Sequence, residues 1–503
     1  MIRFITCALI VGLVACNSDE EPMDITANAN SNRNNDTPVD DGNNGRTPPE
    51  PYDDIAFNCA DVIMPDNPER PYGQQGRLLR NSAGDLFYAM LRPIGNQPVC
   101  PAAISGAISD TPVLDFLVFV RPVGSNAWNL ERVELDGTGD PGVITSRFGI
   151  GAAIDPSTDQ PTFTVAAGDN GLFTCGSSDL VVITRDSNGE YELTTVADNS
   201  GQFPSDGNGV CAAGDDRAEG EKECCEDVTG CTAGDDVGWW SDIAFRGGNE
   251  AIVYSDSHNA GTEDGGENQD IELWEPGGIS GVRPFSGLGQ YAGLTYNTDG
   301  DLVVAFTGYV GGGLYVLRRV GNGPEWLGAN ATASGNQRGN LFPGFIVGER
   351  ISIATAPDGT VGLAFHAIRD ERDFEVQDLY YCESEDGGET FLPCTIVDNP
   401  NLRVGNNPSL AYNSLSQPGI SYYYCGPDSN CSRDGLRYAW RDEDGLWWYF
   451  NVQNSDASRS GEFSGLVFDN NDAPIIVFTD LTRGAAMAAV GTFGTGTTGT
   501  CAQ

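Results

Sequence analysis

The chain has 503 residues, 72 acidic side chains against 27 basic ones and a formal charge of −45, and Lys222 is its single lysine. Such a field repels nucleic-acid phosphates and anionic membrane surfaces, which excludes both as partners of the folded surface and leaves cations and neutral or basic ligands. Length alone would suggest about three domains, but many of the 65 glycines recur in one pattern, which points instead to a repeat that a single closed domain absorbs.

At the start, Arg3 precedes an apolar run from Phe4 to Val14 that is too short to cross a bilayer and ends in Leu13-Val14-Ala15-Cys16. This resembles the lipobox of bacterial lipoproteins. The resemblance implies removal of residues 1–15 as a signal peptide and a lipid on Cys16 as the membrane anchor. Asn17 rather than Asp follows the cysteine, which by the same resemblance implies an outer-membrane lipoprotein of the cell envelope, facing periplasm or exterior. Residues 16–50 are Asn, Asp, Pro and Gly with hardly an apolar side chain, a composition that cannot offset the entropy of ordering and reads as a disordered acidic tether.

From Tyr52 the pattern changes to short alternating strands separated by turn residues, with no helical period. Seven copies of one motif run through residues 51–503: Gly, two variable residues, any residue, a small residue, then an apolar pair. They begin at Gly73, Gly149, Gly238, Gly289, Gly348, Gly405 and Gly461, 51 to 89 residues apart. A period near fifty with several short strands per copy is the signature of a radial propeller. The expected fold is all-β, a seven-bladed β-propeller, with six or eight blades as alternatives. Turns such as Asn297-Thr298-Asp299-Gly300-Asp301 and Asp469-Asn470-Asn471-Asp472 follow each first strand, and hairpin geometry accounts for them better than calcium loops do. Apolar runs such as Val361 to Phe365 and Ile475 to Phe478 then read as strands buried between blades. The last copy stops at a third strand, Ala485 to Val490, and the segment 54–63 is expected to supply the missing outer strand and close the ring.

Leaving aside Cys7 and Cys16, twelve cysteines remain, an even number in an oxidising compartment. Cys382 with Cys394, and Cys425 with Cys431, are the expected disulfides, and a Cys59–Cys501 bond would lock the ring closure. Cys100, Cys175, Cys211, Cys224, Cys225 and Cys231 have no assignable partners; zinc at the last three is disfavoured because no histidine is near. Segment 199–235 reads as a Cys-rich acidic insertion in the propeller. The loop 255–270 carries Asp256, Glu263, Asp264, Glu267 and Asp270. Of these, Asp256, Asp264, Glu267 and Asp270 are the candidate calcium ligands, weighed against a merely solvated acidic loop.

Ser384-Glu385-Asp386-Gly387-Gly388-Glu389-Thr390-Phe391 resembles the Asp box (BNR repeat) of sialidase-like propellers, with Phe391 where Trp is usual, and weaker versions end in Trp128, Tyr191, Trp326 and Trp447. In that family the box is a structural turn between a blade's third and fourth strands. The resemblance does not extend to catalysis, because neither the family's Arg-Ile-Pro-type motif nor its arginine triad is found after Tyr52.

The motif itself marks the candidate site. In a propeller the residues leading into each innermost strand open beside the central channel, so the variable pairs should form a ring at its mouth. That ring comprises Gln74, Gln75, Ile150, Gly151, Trp239, Trp240, Gln290, Tyr291, Glu349, Arg350, Asn406, Asn407, Glu462 and Phe463. The ends of second strands add Asp256, His366 and Asp480. Aromatics for stacking with amides and a few charges suit a glycan, peptide or protein ligand. The chain therefore reads as a lipid-anchored, monomeric, non-enzymatic binding module without nucleic-acid partners and without a cofactor other than calcium. A glycoside hydrolase or lyase of the sialidase-like propeller type is the alternative.

Overall fold

In the computed structural model the described residues are 55–63, 74–97, 111–133, 149–167, 179–197, 237–256, 270–281, 290–308, 313–323, 325–329, 340–342, 346–368, 377–398, 404–425, 431, 434–454, 460–480 and 484–493. The signal and tether segments, the insertion 199–235 and most of the loop 255–270 fall outside them. The described strands pair into seven antiparallel four-stranded sheets. Six follow chain order, as blade 1 (74–132), blade 2 (151–197), blade 3 (237–281), blade 4 (290–328), blade 5 (346–398) and blade 6 (404–454). Blade 7 takes three strands from 460–493 and its outer strand, Ile55–Ile63, from the other end of the described chain, with Ile55 opposite Phe493 and Ala60 opposite Ala488. Each inner strand contacts that of the next blade, and the last contacts the first. The fold is a seven-bladed β-propeller closed by an N-terminal strand.

The core lies between the blades. Second strands are buried on both faces, as Val361–Ile368 and Pro474–Asp480 are along their whole lengths, which is why they read as continuous apolar runs. Among the described residues seven apolar clusters form; one joins Phe87, Phe116 and Val118 of blade 1 to Phe163 and Ile183 of blade 2.

The first-to-second-strand turns form one rim. An Asn or Asp opens most of them and accepts from amides two or four residues on: Asn413 Oδ1 from Leu415 and Gln417, Asp469 Oδ1 from Asn471 and Ala473. These turns also stitch neighbouring blades together, Ser82 to Asp159 and Ser414 to Asp472 through both backbone N and hydroxyl. The turn at 384–391 is organised by Asp386, which accepts from Ser384 Oγ and Thr390 N at 2.8 and 2.7 Å while Phe391 is buried beneath. The Cys382–Cys394 disulfide spans the hairpin that carries this turn, and the Cys425–Cys431 disulfide is formed as expected. Cys59 is disulfide-bonded as well; Cys501 lies outside the described residues.

Candidate functional site

The opposite rim is built by the glycine motif. Gly149, Gly238, Gly405 and Gly461 have φ between 88° and 108°, a region closed to most L-residues. Several also press on the preceding blade: a Cβ on Gly238 would meet Leu180 at 3.0 Å, and one on Gly405 would meet Leu379 at 2.9 Å. The second variable residue is left-handed in five blades, with Gln75, Trp240, Tyr291, Asn407 and Phe463 at φ 48–58°. Here the strand pairing shifts register, between Trp239 and Asp242, Gln290 and Gly293, Asn406 and Ser409, and Glu462 and Gly465. This recurrent bulge re-aims the variable side chains away from the sheet, as bulges beside functional sites do.

Trp239, Trp240 and Tyr291 are half-buried and meet edge to face, with ring centroids 5.5 Å apart for the two tryptophans and 4.4 Å for Trp240 and Tyr291. Gln75, Arg350, Asn406, Asn407, Glu462 and Phe463 are also half-buried, whereas Gln290 and Ile150 are buried. Glu349 and Asp256 take their places on the rim strands, Asp256 opposite both Val237 and Asp270. Asp480 pairs with Ser460 at the same end and is fully buried. His366 is 7% exposed, with its ring over Gly348 and its Cβ against Gly405 of the next blade. Burial pulls its pKa down from 6.5 to about 4, so it is the neutral imidazole at neutral pH.

Several polar atoms in this region have no hydrogen-bond partner: Gln290 Nε2, Arg350 NH1, His366 Nδ1 and Asn406 Oδ1. They belong to blades 4, 5 and 6, beside the aromatic trio of blades 3 and 4. Buried polar groups left unpaired each cost about 1–3 kcal/mol and call for a specific reason.

The channel itself is crossed by Arg350 of the variable pairs together with two side chains that those pairs did not reveal, Arg77 and Asp242. Arg350 reaches from blade 5 to donate to Gly76 O of blade 1 at 3.3 Å. Arg77 donates to Ile150 O at 2.5 Å and lies 4.0 Å from Asp242 of blade 3. Burial, and after it the neighbouring Arg77, hold the Arg350 guanidinium well below its usual range. Burial likewise raises the Asp242 carboxyl, opposed by Arg77. Arg77 and Asp242 occupy the motif's small position, filled elsewhere by Ala153, Gly293, Ser352, Ser409 and Gly465. Ser352 and Ser409 there accept from the next blade's Leu410 and Leu466 amides, and Asp242 accepts from Leu294 N in the same way at 3.3 Å. Two charged residues at a position otherwise kept small are the one local signal of the hub that the sequence offers. At the far end the axis opens into a cavity of about 650 Å³ walled by residues such as Leu78, Ile154, Leu410 and Val467.

Among the described residues no cluster of three His, Cys, Asp or Glu side chains is placed to hold a metal; Asp264 and Glu267 lie outside them.

No known protein family and no curated protein matches the sequence. Similar solved structures include an alpha-L-arabinanase of Penicillium chrysogenum complexed with arabinobiose, at 11% identity and TM-score 0.45 over 86% of this chain and 97% of that one. An alpha-L-arabinofuranosidase of Fusarium graminearum matches at 11% and 0.45 over 87% and 96%. The NanB sialidase of Streptococcus pneumoniae matches at 11% and 0.41 over 85% and 70%. The likeness is one of fold.

Proposed function

We propose that the bulge-built rim is a carbohydrate-recognition site on a protein held at the cell envelope by lipid on Cys16. The observation that carries the reading is the half-buried Trp239–Trp240–Tyr291 cluster on the same rim as the half-buried Asn406, Asn407 and Glu462 side chains. Sugars present apolar faces that stack on aromatic rings and hydroxyls that both donate and accept, which suits a rim of aromatics, amides and a carboxylate. A peptide asks for a strand edge or a line of pockets, and the aromatic trio offers neither.

Hydrolysis is the second reading. The similar structures named above are glycosidases, which accords with cleavage better than with binding alone. A specific residue also favours it: Asp242, whose carboxyl is raised by burial, has the character of a general acid.

A glycan array run beside a glycosidase assay on the full chain tests both readings. Retention of particular glycans without turnover is expected for recognition alone, and turnover that disappears in Asp242→Asn for the hydrolase. No retained and no cleaved glycan would count against the site. The anchor has its own test: metabolic labelling with a fatty acid is expected to mark the wild-type chain and not Cys16→Ala, and equal labelling would remove the lipid from the account.

A further inference from the structure

Four blades carry an arginine at one register near the end of the third strand: Arg121 in blade 1, Arg185 in blade 2, Arg319 in blade 4 and Arg441 in blade 6. Arg185 stands opposite Tyr191 and holds both carboxylate oxygens of Glu131 in the preceding blade at 2.8 Å. The other three lean on the aromatic at the start of the outer strand, the guanidinium carbon 5.4 Å from Trp128 for Arg121, 5.4 Å from Trp326 for Arg319 and 5.9 Å from Trp447 for Arg441. Two of them also grip a glutamate of the preceding blade with both terminal nitrogens. Arg319 holds Glu275 at 2.8 and 2.5 Å, and Arg441 holds Glu383 at 2.8 and 2.6 Å. Paired N–H donors meeting two carboxylate oxygens are the strongest form of this contact.

Arg121 has the arginine and the aromatic but not the glutamate. The blade before it is blade 7, and the strand pairing shows what replaces the acid. In blade 5 the inner-strand residue Ala354 pairs with Gly362, which pairs with Glu383. At the same steps in blade 7, Val467 pairs with Ile475, which pairs with Val490. A valine thus stands where the carboxylate would be, and beside it is a cavity of about 220 Å³ whose lining includes Arg80, Arg121, Asn470, Ile475 and Val490. Arg80 donates to Asn470 Oδ1 at 2.6 Å. Asp469 also lines the cavity, but its Oδ1 is engaged by the amides of Asn471 and Ala473.

We infer that this seam between blades 7 and 1 binds a small carboxylate, which sits on Arg121 as Glu275 and Glu383 sit on Arg319 and Arg441. The site is on the turn rim, away from the mouth, and does not depend on the carbohydrate reading. The chain's negative field opposes anion entry, but at physiological salt it is screened over about 8 Å, so the two guanidinia dominate inside the cavity. Ile475 and Val490 admit the carbon end of the acid.

Acetate is the probe, titrated against chloride at matched ionic strength while the thermal midpoint of the full chain is followed. The wild type is expected to gain a saturable rise beyond chloride. Arg121→Gln should weaken the apparent acetate affinity at least tenfold, which separates this site from Arg350 at the hub. Val490→Glu supplies the missing carboxylate from the chain and should make the protein insensitive to acetate. An acetate response equal to that of chloride, or one unchanged in Arg121→Gln or Val490→Glu, overturns the inference.

Discussion

Replacing Asp242 with alanine is expected to lower the unfolding free energy by about 3 kcal/mol, seen as a lower urea midpoint at unchanged m-value. The carboxylate faces Arg77 and Arg350, and its Oδ2 accepts the Leu294 amide. Intact, the group contributes little net stability, because burial shifts both Asp242 and Arg77 toward their neutral forms. Broken, it leaves two guanidinia confined together without their counter-charge, which is the costly case. The cost falls at the low end of the usual range because Arg77 and Asp242 keep 23% and 19% of their side-chain surface accessible. Asp242→Ser separates the contributions, since serine at this position already accepts the next blade's amide in blades 5 and 6. It should keep the hydrogen bond and still lose most of the stability. Adding Arg77→Leu should recover part of the loss. A serine variant as stable as wild type would show that the charge at the hub does not matter to the fold.

Acidification is expected to destabilise the protein through His366. Its folded-state pKa of about 4 lies below the 6.5 of an ordinary histidine, so protonation favours the unfolded chain. The contribution is fully present above about pH 6.5 and is lost as pH falls toward 4, reaching about 2–3 kcal/mol by pH 4.5. The cause is position: the imidazole is clamped between Gly348 and Gly405, and its Nδ1 has no partner. His366→Phe keeps a ring in that space and removes the titration. Urea midpoints at pH 7, 5.5 and 4.5 should therefore fall more steeply in wild type than in the variant. Equal slopes would mean that the side chain reaches water or a partner in solution.

The architecture was legible in the sequence because each blade repeats the same physical demands. Gly238 and Gly405 must be glycine twice over, for their positive φ and for the preceding blade packed against them. The Asn and Asp turns are self-capping, and the second strands are apolar throughout because both faces are covered. Ring closure followed from the incomplete last copy, whose missing strand is Ile55–Ile63. The rim was legible only in part. The variable pairs marked where side chains gather, but Trp240, Tyr291 and Phe463 are not residues that announce a left-handed backbone, so the bulge was hidden. The Arg77, Asp242 and Arg350 group was hidden for another reason: its members come from three different blades, and a ring brings them together where no local spacing does. The seam at Arg121 shows only when blades are compared register by register, because what distinguishes it is the lack of the carboxylate that Glu131, Glu275 and Glu383 bring to Arg185, Arg319 and Arg441.

The most direct test of the rim as a ligand site is to titrate a glycan retained by the array into wild type and into the chain carrying Trp239→Ala and Trp240→Ala, by calorimetry. Loss of both stacking faces is expected to weaken binding at least 100-fold, or about 3 kcal/mol, while the far-UV spectrum stays that of the β-propeller. Unchanged affinity in the double variant would contradict the account, because the ligand would then be held somewhere other than the rim that the recurrent bulge builds.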